Sequence, residues 1–102
     1  TQSVTGVGFT PKAVIFYSIQ DASAELSFGF DDDTTSEVVF DNSSSTTDTF
    51  NSSASNSIYV EETGSNRYVG VVDTFNSDGF DINWTRVGSP TGTATIYYLA
   101  FR

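Results

Sequence analysis

The sequence predicts an all-β protein: one domain over residues 1–102, folded as an antiparallel, jelly-roll-like β-sandwich of seven to eight strands. Its 102 residues include nine Phe and five Tyr, and aromatic and β-branched residues favour strands. Apolar and polar residues alternate over short segments, which Ser, Thr, Asn, Asp and Gly separate. In addition, no window of eleven residues has the sustained three-four spacing of an amphipathic helix.

The first half of the chain contains three strand patterns. Residues 12–19 (KAVIFYSI) form a nearly continuous apolar run, so both faces of this strand are expected to be covered. Residues 25–31 alternate Phe28 and Phe30 with polar residues, which predicts a half-buried strand with both rings on the core face. A shorter strand is predicted at 37–41.

Two other segments of the first half have weaker patterns. A weak strand is expected before Gly6. Residues 41–56 (DNSSSTTDTFNSSASN) are low in complexity and carry one aromatic residue, Phe50. This composition is compatible with a long exposed loop and equally with a polar edge strand, and the sequence leaves both interpretations open.

The second half contains four strand patterns, which cover 56–62, 67–75, 79–85 and 93–101. Asp78-Gly79 predicts a tight hairpin between the second and third of them. The segment 87–92 (VGSPTG) contains Pro90 and two glycines and predicts a turn into the last strand. The last three strands are therefore predicted to form an antiparallel meander.

The segment Phe75–Thr85 (FNSDGFDINWT) contains the single Trp and alternates regularly. Phe80, Ile82 and Trp84 share one face of the strand, which predicts that they belong to the core. Trp84 as a sugar-stacking platform is the other interpretation, but its polar neighbours point to the opposite face, so a sugar site would sooner use Tyr59 or Tyr68. The predicted buried cluster comprises Val14, Phe16, Phe28, Phe30, Phe80, Ile82 and Trp84.

The charge balance excludes several classes of partner. Thirteen acidic residues against four basic ones give a formal net charge of −9. Such a chain repels phosphate backbones and anionic bilayers, so neither nucleic acid nor a membrane is an expected partner. The longest apolar run, 13–17, is far shorter than a membrane span.

Residues that carry catalysis or bind metals are scarce. The chain lacks Cys and His, which removes thiolate nucleophiles, the usual general base and the usual zinc ligands. Glu25 and Glu61 lie on strands opposite to the expected core faces, and nothing there separates their pKa values as an acid–base pair requires. No enzyme activity, catalytic residue, metal or cofactor is therefore expected.

An acidic cluster, Asp31-Asp32-Asp33 with Glu37 and Asp41 nearby, has two interpretations. Its hard oxygen ligands suit Ca²⁺. The alternative is a solvated acidic turn after a strand, which we favour because the spacing matches no calcium-loop signature.

Three segments together resemble a module of tailed-phage virion proteins. They are GFTPKAVIF at 8–16, DGFDINWT at 78–85 and IYYLAF at 96–101, and the shared pattern is GFxPKxVxF, then DGFxxNWT, then YLAF. The resemblance implies a non-enzymatic virion structural protein on the particle surface, which decorates or cements the capsid or forms a tail-fibre or head-fibre domain. It also suggests host attachment, a homotrimer and contacts with other virion proteins. Residues 31–57 lie outside the resemblance.

The surface composition predicts self-association. Lys12 is the single lysine, and Pro occurs at 11 and 90 alone, so few side chains guard the sheet edges against pairing. Tyr is common at interfaces, and we expect a homo-oligomer, with the trimer as the expected state. The predicted interface residues are Tyr59, Tyr68, Tyr97 and Tyr98. The alternative function is a lectin-like module that binds host surface glycans.

Overall fold

The computed structural model describes residues 1–21, 25–43 and 48–102. The strands are β1 (Gln2–Val4), β2 (Ala13–Gln20), β3 (Leu26–Asp31), β4 (Ser36–Ser43), β5 (Asp48–Ser53), β6 (Ile58–Thr63), β7 (Asn66–Asn76), β8 (Gly79–Val87) and β9 (Ala94–Phe101). Within these described ranges there is no helix, and thus none that is long and apolar enough to cross a membrane. The predicted all-β class is confirmed.

Two antiparallel sheets pack face to face as the predicted β-sandwich. The four-stranded sheet has the order β1-β8-β7-β6, and the five-stranded sheet has the order β5-β4-β3-β2-β9. Each sheet is a meander completed by one strand from the opposite end of the chain. The weak strand expected before Gly6 is β1, which pairs with β8.

The predicted meander of the last three strands is wrong at its final step. β7 and β8 form the hairpin that Asp78-Gly79 predicted, but β9 crosses to the other sheet and pairs with β2 along its whole length. The segment that crosses between the sheets is bound by the four-stranded sheet. Glu62 Oε2, on β6, accepts hydrogen bonds from the N–H groups of Thr91 (2.7 Å) and Gly92 (3.2 Å). A turn composition alone does not say which sheet the next strand joins.

The low-complexity segment 41–56 contains an edge strand. β4 continues to Ser43, and β5 pairs with it from Val38↔Ser53 to Ser43↔Asp48. The edge-strand interpretation is therefore correct for 48–53, and residues 44–47 lie outside the described residues.

The core lies between the sheets, and it is built around the edge-to-face contact of Phe16 and Phe80, whose ring centroids are 5.7 Å apart. Of the predicted cluster, Val14, Phe16, Phe80 and Ile82 are buried, and Trp84 is half-buried against them. The buried residues that form this cluster are Val14, Phe16, Ile58, Val60, Val72, Phe80 and Ile82, and Val38 and Phe40 are also buried.

The predicted orientation of β3 is wrong. Phe28 is 50% exposed and Phe30 is half-buried, whereas the alternating residues Ser27, Gly29 and Asp31 are buried. Thus the aromatic side chains of β3 point away from the core, and its small and polar residues point inward.

Contacts with the opposite sheet explain this inversion. Ser27 Oγ accepts a hydrogen bond from the backbone N–H of Tyr59 (3.3 Å). Asp31 Oδ2 accepts one from the N–H of Val72 (3.2 Å), at the point where β7 has an irregular register. Between them, Gly29 lies so close to the opposite sheet that a Cβ would overlap backbone atoms. The inner side of β3 therefore supplies hydrogen-bond acceptors and leaves no room for rings.

Candidate interaction surfaces

The inversion of β3 creates a continuous apolar surface on the outside of the five-stranded sheet. The inward positions of β2 are buried, and its intervening residues point outward together with those of β3 and β9. We call this surface the apolar face, and it comprises Ile15, Tyr17, Ile19, Leu26, Phe28, Phe30, Tyr97, Leu99 and Phe101. None of these residues is charged.

Rows of side chains run across the strands of the apolar face. In one row Tyr17 lies between Tyr97 and Phe28, and the Tyr17 and Tyr97 ring centroids are 6.2 Å apart. Tyr97 and Leu99 are 59% and 65% exposed. The exposed Val39 of β4, which pairs with Phe28, extends this row towards the far edge of the sheet.

β9 is the edge strand beside this face. It has eight residues without a charge or a proline (ATIYYLAF), and no other strand of the described residues pairs with its free side. Tyr98 points to the opposite side from Tyr97, where its ring contacts Phe80 at 5.2 Å between centroids and remains 40% exposed. β9 therefore has apolar surface exposed on both faces as well as unpaired backbone groups along its edge.

The four predicted interface tyrosines do not form one surface. Tyr97 and Tyr98 are adjacent on β9, whereas Tyr59 and Tyr68 belong to the four-stranded sheet. Tyr59 stacks on Phe40 with 3.6 Å between ring centroids. The hydroxyl of Tyr68 donates a hydrogen bond to the carbonyl of Pro90 (3.2 Å). Both of these side chains therefore make contacts within the sandwich.

Trp84 lines an open cleft of about 470 Å³ between the sheets. Its indole Nε1 donates a hydrogen bond to Oε1 of Gln2 (2.8 Å), and Tyr68 lines the same cleft. Asp81 and Asn83 alternate with Trp84 along β8, as expected, and so do not face this cleft. The other lining residues are Val60, Gly92, Ala94 and Ile96.

The acidic cluster at 31–33 organises the turn between β3 and β4. Asp32 Oδ1 accepts hydrogen bonds from Thr34 and Thr35, and these bonds lower the pKa of Asp32. Asp31 accepts from the N–H of Asp33 (3.1 Å) as well as from the opposite sheet. Within the described residues no group of three or more acidic side chains is placed to hold a metal ion.

Two glutamates are buried against the sequence-based expectation. Glu25 and Glu61, which alternation placed on outer faces, are only 6% and 4% exposed. Burial raises the pKa of Glu61, the nearby Glu25 and Asp41 raise it further, and Arg67 opposes them. An irregular register between Glu61 and Thr63 interrupts the alternation there, and nothing in the sequence marks it.

The motif segments at the two ends of the chain meet in the fold. β2 carries the first segment and pairs with β9, which carries the last, and the N–H of Lys12 donates to the carbonyl of Phe101 (2.7 Å). Pro11 is buried at the start of β2. Comparisons of the chain with protein-family models, curated proteins and solved structures find no match, so the resemblance depends on these residues themselves.

Proposed function

We propose that this chain is a non-enzymatic structural module on the surface of a tailed-virus particle and that it acts by assembly. It decorates or cements the capsid or forms a fibre domain, as a homo-oligomer in contact with other virion proteins. The motif resemblance supports the viral setting. The observation that carries the assembly role is β9, an uncharged edge strand with both faces partly exposed.

An edge strand of this kind needs protection. Unpaired N–H and C=O groups on a long, flat, apolar edge are a template for pairing with other chains. Natural sandwiches place Lys, Pro or a bulge there, and β9 has no Lys or Pro. A specific partner along β9 would supply the missing protection, while the net charge of −9 opposes non-specific association elsewhere.

The viral setting is tested on purified particles. An antibody raised against the isolated domain should label intact particles at regular positions in electron micrographs, and peptides of the domain should copurify with the particles. Antibody preabsorbed with the domain is the control. Domain that is present in the infected-cell lysate but absent from purified particles would exclude this function.

The cleft at Trp84 favours a second candidate, a lectin-like module that binds cell-surface glycans. Indole and phenol rings are suitable platforms for sugar rings, and a cleft of about 470 Å³ lies within the size range of small-ligand sites. A glycan-array signal that is lost in Trp84→Ala and retained in Phe50→Ala, with both variants folded by thermal melting, would support it. An array without signal would exclude it for the glycans tested.

A further inference from the structure

We infer that the apolar face of the five-stranded sheet binds the same face of a second copy of this chain. The inference deepens the proposed assembly function and rests on it, because it assigns the surface and the partner through which the module assembles. It goes beyond the tyrosine interface expected from the sequence, since most of the face consists of side chains on β2 and β3.

The apolar face extends across three neighbouring strands, β3, β2 and β9. Three strands about 4.8 Å apart, exposed over roughly six residues of about 3.3 Å each, project an area of roughly 300 Å². The accessible area of protruding side chains exceeds this projection, and a contact of this size belongs with the small protein interfaces rather than the standard ones of ~800 Å² per partner. Soluble monomers rarely leave a contiguous apolar patch larger than a few hundred Å² exposed.

The distribution of charge identifies the partner as another copy. With 13 acids against 4 bases, two copies repel each other, but the nine residues of the face contribute nothing to this repulsion. A basic partner would be attracted to the acidic parts of the surface and would gain no ion pair on the face. A surface that matches the face must itself be flat, apolar and uncharged, which is the surface that a second copy presents.

The geometry of the face permits such a contact. Sheets pack face to face about 10 Å apart through interdigitating side chains, and the rows that cross at Tyr17 and Ile15 provide ridges for this packing. A two-fold axis would bring each face against its equal. Around a three-fold axis each face would contact two neighbours, and the measured mass distinguishes these arrangements.

The test is the mass of the protein in solution, measured by light scattering at micromolar concentration. Wild type is expected at two or three times 11.0 kDa. Leu99→Asp places a carboxylate within the contact, beside Ile15 of the central strand β2, and should give a single chain of 11.0 kDa. Thr85→Asp is the matched control, because it adds the same charge at an exposed position on the outer side of the other sheet, and it should keep the wild-type mass.

Several results would overturn the inference that two copies associate through the apolar face. A wild-type mass of 11.0 kDa that persists in high salt, where the repulsion is screened, overturns the inference, and so does an unchanged mass in Leu99→Asp. Thermal melting checks that the variant is folded, and Tyr97→Ser provides a second variant if it is not. Cross-links from the apolar face of a monomer to a different virion protein would overturn self-association and leave the viral function intact. Absence of the protein from purified particles would contradict only the viral setting.

Discussion

The carboxylate of Asp78 binds the backbone of Gly8, whose N–H donates a hydrogen bond of 2.7 Å to Oδ1. The other carboxylate oxygen accepts a hydrogen bond from the N–H of Gly6 (3.0 Å). The backbone carbonyl of Asp78 accepts a hydrogen bond from the N–H of Val7 (3.0 Å). Both glycines have φ near +85°, a conformation that costs other residues energy. The turn between β7 and β8 thereby fixes the segment that leads into β2, which gives a structural reason for Gly and Asp in the motif.

We expect Asp78→Asn to lower the melting temperature near neutral pH. The hydrogen bonds from Gly8 and Gly6 lower the pKa of Asp78, so its stabilising effect is present above the unfolded pKa of about 3.9 and is lost as pH falls through the folded value. The difference between variant and wild type should therefore shrink in acid. Asp73→Asn, at an exposed position of β7, is the control. Equal melting temperatures of the two variants at neutral pH would contradict the role of Asp78.

Phe28 and Phe80 both lie in segments in which apolar and polar residues alternate. Replacing them with Ala should nevertheless change the free energy of unfolding by very different amounts. Phe80 is fully buried against Phe16, so Phe80→Ala is expected to lower the free energy of unfolding by about 3–5 kcal/mol. Phe28 is half exposed on the apolar face, and Phe28→Ala should change the stability of the monomer by less than about 1 kcal/mol. Denaturant titration of both variants in a Leu99→Asp background measures the monomer. Similar losses would mean that Phe28 belongs to the core.

Alternation predicted the faces of β8 correctly and those of β3 incorrectly, for a physical reason. Phe80 and Ile82 point inward because β8 has one face towards the other sheet and one towards solvent. In β3 both faces need apolar or small residues. Which of the two sets of side chains points inward depends on how closely the two sheets approach each other at Gly29. That distance depends on the whole fold, and a single strand does not encode it.

The tyrosine interface stays a prediction, and the fold shows only where its residues lie. The absence of edge guards and the adjacent tyrosines of β9 indicated a contact at Tyr97 and Tyr98, and both are exposed. The apolar face was missed because it depends on β9 joining β2 rather than β8. Once that pairing is known, the row from Tyr97 to Phe28 follows directly from the register.

Gly29→Ala should destabilise the fold severely. A methyl group at this position would overlap the carbonyl oxygen of Ser57, which is backbone and has no rotamer by which to move away. We expect loss of the cooperative unfolding transition or a large fall in melting temperature. Gly64→Ala is the matched control, since its nearest neighbour atom would be 3.8 Å away, on the side chain of Glu61. A Gly29→Ala variant that melts like the control would show that the sheets separate there without cost.

The neighbouring Glu61 and Glu62 should respond oppositely to the loss of charge. Because its pKa is raised by burial, Glu25 and Asp41, Glu61 destabilises the fold increasingly as pH rises above the unfolded value of about 4.3. Glu61→Gln is therefore expected to raise the melting temperature near neutral pH and to have little effect near pH ~4.

For Glu62 the N–H groups of Gly92 and Thr91 lower the pKa, so its stabilising effect is present above the unfolded pKa and is lost as pH falls through the folded value. Glu62→Gln should consequently lower the melting temperature near neutral pH, and the two curves should converge in acid. Thermal melts of both variants across this pH range provide the measurement. A Glu61→Gln variant less stable than wild type at neutral pH would show that attraction to Arg67 outweighs the cost of burying the Glu61 carboxylate.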